Sequence, residues 1–258
     1  MPPLALVGNL SRDLVDGGPP RIGGGAYHGA RALRAIGCRA SVLARCGRAD
    51  RPVFLRRIAA VGLPVTVLHG TQTTGFSFHY DGDRRVMRVD SVGDAWSAAD
   101  ARRVEPRAWV HVAPLLRSDF AADTMAALAR GRRVSFDGQG LVRVPEAGPL
   151  RLDADYDPAL LEHVSILKLA EEEADVVGSV DRLGVPEVVV TYGSKGSRVY
   201  ANGRVEEVGA WPVTRDPTGS GDAFAVAYLA GRASGQAPGA AARRATALVG
   251  ALLTGRAR

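Results

Sequence analysis

The stretch Asp216-Pro217-Thr218-Gly219-Ser220-Gly221-Asp222-Ala223-Phe224 runs straight into the apolar series Ala225, Val226, Tyr228 and Leu229, and no other segment limits the chain as much. Two glycines around a serine let successive backbone N–H groups turn inward, and the helix implied by the apolar series points its positive end at the same place. That is a phosphate-sized anion hole. Asp222 falls in the first turn of the helix, where the dipole keeps a carboxylate ionised and able to take a proton from an attacking hydroxyl. The same residues also suit a plain loop-to-helix junction, with Asp222 capping and the glycines turning.

Asp216, Thr218, Gly219, Ser220, Gly221, Asp222 and Phe224 fit the pattern D-[TS]-x-G-[AS]-G-D-x-F. The chain thereby resembles the ribokinase-like carbohydrate kinases, also called the phosphofructokinase-B family. The resemblance implies a three-layer α/β fold, with a mainly parallel sheet flanked by helices and a small β-sheet lid. It also implies ATP and Mg2+ as cofactors, Asp222 as catalytic base, and Gly219, Ser220 and Gly221 as the hole for the developing phosphoryl charge. Thr218 is then expected at the nucleotide phosphates and Asp216 beside a monovalent cation such as K+.

A chain of 258 residues, 46% hydrophobic and 23% charged, can bury a large core, and one α/β domain over 1–258 is expected. The net charge of +6 is carried almost entirely by arginine. It forms no run of five basic residues and no basic stripe interleaved with aromatics, so nucleic acid is not an expected partner. Cys38 and Cys46 form no C-x-x-C pair and the five histidines have no metal-ligand spacing. The N-terminus lacks the charged n-region of a signal peptide, and no apolar run reaches membrane-spanning length. A cytoplasmic protein without membrane contact is the expectation.

Leu4–Val7 reads as a buried parallel strand stopped by Gly8-Asn9, with Asp13 just beyond, where an open α/β sheet collects ligands. Arg21 to Gly37 combines a glycine cluster with Ala26, Ala30, Leu33 and Ile36 at helical spacing. It is similar to the family pattern G-G-x-x-x-N-x-A-x-x-L-x-x-L-G, with His28 where the family has Asn. The resemblance makes Asp13, Gly24, Gly25 and His28 acceptor-binding residues.

Phe76, Phe78 and Tyr80 alternate with Ser77 and His79, the turn Asp81-Gly82-Asp83 follows, and Val86 to Val89 returns, which predicts a hairpin. The lid is accordingly expected from 10–22 and 65–92. Its aromatic face could cover substrate, join a second lid in a homodimer, or face the core. Ser118-Asp119 reads as the opening of a helix reaching Ala129, and Val134–Asp137 as a strand ending in an acid.

The run Asp137-x-Gln139-Gly140-x-x-Arg143 looks most like the myo-inositol-kinase-like branch. Asp137 and Arg143 are expected at the substrate, where Arg143 can brace a phosphate bidentately. The strand Ser165–Leu169 leads into Ala170-Glu171-Glu172-Glu173, which matches the family's N-x-x-E at Glu173 but not at Ala170. Glu173 is thus expected to hold Mg2+ through water, with Lys168 supplying charge nearby. Val188–Val190 enters Thr191-Tyr192-Gly193-Ser194-Lys195-Gly196, similar to the family's T-x-G-x-x-G. That likeness assigns Thr191, Gly193 and Gly196 to the donor. A kinase for a sugar or cyclic polyol is the expected activity; a nucleoside kinase and a catalytically silent binder of the same fold are the alternatives.

Overall fold

The structure, a computed structural model, describes residues 2–81, 84–210 and 218–255. Its strands, in chain order, are β1 (Leu4–Asn9), β2 (Ser11–Val15), β3 (Arg21–Gly23), β4 (Ala40–Gly47), β5 (Val65–Gly70), β6 (Thr74–Asp81), β7 (Arg84–Ser91), β8 (Trp109–Ala113), β9 (Arg133–Asp137), β10 (Gly148–Pro149), β11 (Ile166–Ala170), β12 (Glu187–Thr191), β13 (Ser197–Ala201) and β14 (Arg204–Val208). The helices are α1 (Gly25–Ala35), α2 (Arg51–Ala59), α3 (Ala98–Ala101), α4 (Ala122–Ala129), α5 (Gln139–Val142), α6 (Glu171–Val177), α7 (Ser220–Ala233) and α8 (Pro238–Leu253).

Short continuous apolar runs cannot leave one face to water, so they become strands covered on both sides. All six residues of β1 and all eight of β4 are buried. The large sheet runs β14-β13-β12-β11-β9-β8-β1-β4-β5. The seven strands from β12 to β5 are parallel, and β13 and β14 close that edge antiparallel. Along β1, Leu4 and Leu6 face one layer with α1, α2, α7 and α8. Ala5 and Val7 face the other with α3, α4, α5 and α6. Because α7 lies between the sheet and its neighbours, every residue from Ala223 to Gly231 is buried and the helix shows little amphipathic contrast.

The small sheet runs β10-β7-β6-β2-β3, antiparallel except where β2 meets β6. Of the segments expected to form a lid, 10–22 and 65–92, the structure places β2, most of β3, β6 and β7 here. Val65–Gly70 instead pairs with β4 as the edge of the large sheet. Phe76 and Phe78 are both buried, and Phe76 packs with Val89, Leu115 and Leu116. That face of β6 is core, not open aromatic surface; the turn at Gly82-Asp83 and the Tyr80 side chain lie outside what is described.

The helix expected to open at Ser118-Asp119 starts at Ala122. Asp119 turns back and accepts N–H bonds from Leu115 at 2.7 Å and Leu116 at 3.4 Å. A side chain that satisfies an upstream turn is not available to cap the next helix.

Candidate active site

The parallel strands end along one edge of the large sheet, and the expected functional residues gather there. Helices α1 and α7 both begin at that edge. At the start of α1, Gly24 has φ +90°, and a Cβ there would lie 2.6 Å from the Asn9 carbonyl oxygen, so only glycine fits. At the start of α7, Gly219 has φ +79°, which turns the chain so that the N–H groups of the first turn face the loop.

The space around the glycines shows which side chains converge. A Cβ on Gly25 would stand 2.8 Å from Asp222 Oδ1 and 2.8 Å from Ala113 Cβ, so the carboxylate rests against the first turn of α1. A Cβ on Gly23 would stand 1.9 Å from Asp13 Oδ2, which places Asp13 of β2 at the same end of α1. His28 lies across the anion loop, its Cγ and Nδ1 each 2.6 Å from where a Gly219 Cβ would be. Lys168 Nζ sits 3.3 Å from the corresponding point on Gly221. His28 and Lys168 therefore flank the N-terminus of α7 with its own Asp222, and Asp13 stands at the start of α1, against which Asp222 rests.

Under that terminus the sheet carries a buried charged set. Lys168 of β11 and Asp137 of β9 are register partners, with Nζ 3.5 Å from Oδ2. Burial would lower the lysine pKa, but the fields of Asp137, Glu173 and Asp222 outweigh it and hold the ammonium charged well above the ordinary lysine range. Glu173 is also pushed upward, by burial and by Asp137, against the pull of Lys168 and Arg143. Its Oε2 accepts the Ala170 N–H at 2.8 Å, the half of a capping box that needs no side chain at position 170. Arg143, half-buried, caps α5 and places its charge where Lys168 and Glu173 feel it.

Among the described residues no group of three or more His, Cys, Asp or Glu side chains is arranged to hold a metal ion. Such a set would suit a hydrated Mg2+ held mainly by donor phosphates, since this ion keeps several waters and few protein carboxylates, and Glu173 is the carboxylate that would face it.

On the donor side, Thr191 ends β12 and gives its hydroxyl to the Leu169 carbonyl at 3.2 Å. Gly193 and Gly196 form the turn into β13, where a Cβ at 196 would stand 2.0 Å from the Val208 carbonyl oxygen. Ala170 and Thr191 are register partners, so this turn lies beside the start of α6. Thr218 directly precedes the N-cap of α7, and Asp216 lies outside the described residues.

Two residues that carry part of this geometry have no signal in a single sequence. Gln139, buried, donates from Nε2 to the Pro114 carbonyl at 2.6 Å and so ties the end of β8 to the end of β9. Beneath Asp137, His111 Nδ1 lies 3.1 Å from Ser135 Oγ, and burial holds the imidazole neutral, its pKa down to about 4. His111 reads from sequence as an ordinary member of an apolar strand, and Gln139 stands in the Asp137-x-Gln139-Gly140 run without a role of its own.

A rice (Oryza sativa subsp. japonica) inositol 3-kinase is 32% identical over 183 residues, covering 67% of this chain and 44% of that protein. The chain thus spans less than half the length of that curated relative. A pyrophosphate-dependent kinase of the ribokinase family, solved with sulfate, superposes with a TM-score of 0.85 at 25% identity, covering 97% of this chain and 95% of the other. A pyrophosphate-dependent kinase of the same family, complexed with a pyrophosphate analogue and myo-inositol, superposes at 0.84 with 24% identity, again covering 97% and 95%. No helix among the described residues is long and apolar enough to cross a membrane. The family model for pfkB carbohydrate kinases matches residues 20–256, and with the glycine-bounded carboxylate site this places the chain in the pfkB family of carbohydrate kinases.

Proposed function

We propose that the chain transfers the terminal phosphoryl group of ATP to a hydroxyl of a cyclic polyol of the myo-inositol kind. The observation that carries this reading is the place of Asp222, between the α1 terminus with Asp13 on one side and the Gly219–Gly221 loop with Lys168 on the other. Asp222 takes the proton of the acceptor hydroxyl as its oxygen bonds to the terminal phosphorus, and the bond from phosphorus to the donor's bridging oxygen breaks. The N–H groups of the loop, Lys168 and Arg143 bear the charge on the transferred and departing oxygens. Mg2+ would neutralise donor phosphate charge when bound, and Glu173 is the residue that would hold it, through water. The protein's own part is positioning and charge, because phosphoryl transfer asks for little covalent chemistry.

Two observations support the polyol over a nucleoside. Phe76 and Phe78 are both buried, Phe76 against Val89, Leu115 and Leu116, so neither offers an open face for a base to stack on. The relatives reported above are inositol 3-kinase and a kinase complexed with myo-inositol. A second donor has its own support: both superposed structures are of pyrophosphate-dependent kinases.

The test is phosphate transfer, followed by 31P NMR of the product, for myo-inositol, hexoses, pentoses and nucleosides, each with Mg-ATP and with Mg-pyrophosphate. Turnover of a cyclic polyol with ATP is the expected result. Turnover with pyrophosphate alone replaces the donor and leaves the acceptor and base in place. Binding without turnover by any donor would replace the kinase by a silent binder.

A further inference from the structure

Three of the segments that pass between the two sheets are stitched together beside the start of α2. Thr73, entering β6, donates its hydroxyl to Asp50 Oδ2 at 2.6 Å and accepts the Gly47 N–H at 2.8 Å. The Thr73 carbonyl takes the Ser91 hydroxyl at 2.8 Å, and Thr74 Oγ1 takes the Gly93 N–H at 3.1 Å, which ties in the exit from β7. The other Asp50 oxygen pairs with Arg12 of β2. Thr73 and Thr74 are buried, whereas Arg12 is exposed.

Asp50 occupies the N-cap of α2, where a carboxylate ordinarily takes the helix's own first N–H groups. It makes no such bond. Its backbone belongs to the large-sheet body, with its carbonyl accepting from Val53 at 3.1 Å and Phe54 at 2.9 Å, while both side-chain oxygens reach segments of the small sheet. One carboxylate thus joins β2 and β6 to the body that carries Asp222. Arg12 adjoins Asp13 in β2, and neighbouring side chains of a strand point to opposite faces. Holding Arg12 from outside therefore fixes the turn of β2 that aims Asp13 at the end of α1.

We propose that Asp50 is a positioning residue for the acceptor: through Arg12 and Thr73 it sets the small sheet, and with it Asp13, at the distance from Asp222 that acceptor binding needs. This rests on the phosphotransferase reading above. The donor site, built on β11, β12 and α7, has no share in the latch.

The experiment uses the full chain carrying Asp50→Asn, Thr73→Val or Thr73→Ser, with steady-state kinetics for myo-inositol and for the donor, and amide hydrogen exchange across residues 11–15 and 74–78. The expected result for Asp50→Asn and Thr73→Val is an acceptor KM raised about tenfold, with kcat and donor KM within about twofold. Exchange in both strands is faster, and Thr73→Ser, which keeps the hydroxyl, stays near wild type. An unchanged acceptor KM, or acceptor and donor KM rising together, overturns the proposal. Should the wild type phosphorylate no acceptor, the functional reading falls on its own; the latch is then judged by exchange, where faster exchange upholds the coupling of the two sheets and an unaltered rate removes it.

Discussion

At the scale of single residues, the site is defined by how little room its glycines leave. Gly25 has an ordinary helical backbone, yet a methyl group there would press on both Asp222 and Ala113. Gly25→Ala should therefore move the carboxylate without unfolding the helix. We expect kcat to fall about a hundredfold, as a displacement of order 1 Å at a reacting group allows, while Tm shifts only slightly. Kinetics beside a thermal melt checks this, and an unaltered kcat would mean that Asp222 does not work from that position. The place of Asp222, Gly219, Ser220 and Gly221 at a helix start was legible because a glycine cluster running into an apolar series marks one, while their role came from the family pattern. Gly24 and Gly25 were legible for the same reason. Asp50, Gln139 and His111 were not, because their roles depend on which strand ends lie side by side, and that is a property of the sheet order.

At the scale of elements, α7 is held at its far end by an ionic cluster as well as by apolar packing. Tyr228 donates to Glu187 Oε1 at 2.5 Å, and Arg232 Nε donates to both Glu187 oxygens at 2.9 and 3.0 Å. Glu187 begins β12, at the opposite end of the sheet from Asp222. Glu187→Ala leaves Arg232 and the buried Tyr228 hydroxyl without their acceptor, so it should cost about 3 kcal/mol of stability. Below the transition kcat should stay within about twofold. Denaturant unfolding tests the first part; a loss under about 1 kcal/mol would show the cluster to be dispensable.

Elements built from continuous apolar runs, such as β1, β9 and β11, were readable to within a residue or two. The pair β13 and β14 was not, because Arg204 to Glu207 are all exposed and carry no alternation. The start of α4 was misplaced by three residues because Asp119, a good cap by type, is spent on the turn before it.

For the whole molecule, two buried groups outside the chemistry set opposing responses to pH. Burial raises Asp119 to about 6 and lowers His111 to about 4. Between roughly pH 4 and 6 the folded chain holds the Asp119 proton that the unfolded chain has released, so stability falls as pH rises. In the same window the unfolded chain holds a His111 proton that the folded chain lacks, so stability rises with pH. Each effect amounts to about 3 kcal/mol, and in the wild type they offset one another. Relative to wild type, Asp119→Asn should gain stability from pH 4 to 6, and His111→Gln should lose it. Denaturant midpoints across that range give the answer, and parallel curves for all three proteins would contradict it.

The α/β class and the mainly parallel sheet were evident from alternating strand and helix patterns, whereas the split between the two sheets was only partly so. Val65–Gly70 has the composition of either sheet and is assigned by its pairing with β4.

The claim on which the rest depends is that Asp222 removes the proton from the acceptor hydroxyl. Asp222→Asn keeps the size of the side chain and removes its basicity, so its kcat beside that of the wild type, with acceptor affinity followed by calorimetry, tests the claim most directly. The account predicts a loss of at least about a hundredfold in kcat with acceptor affinity little changed. A variant that turns over at the wild-type rate would contradict it.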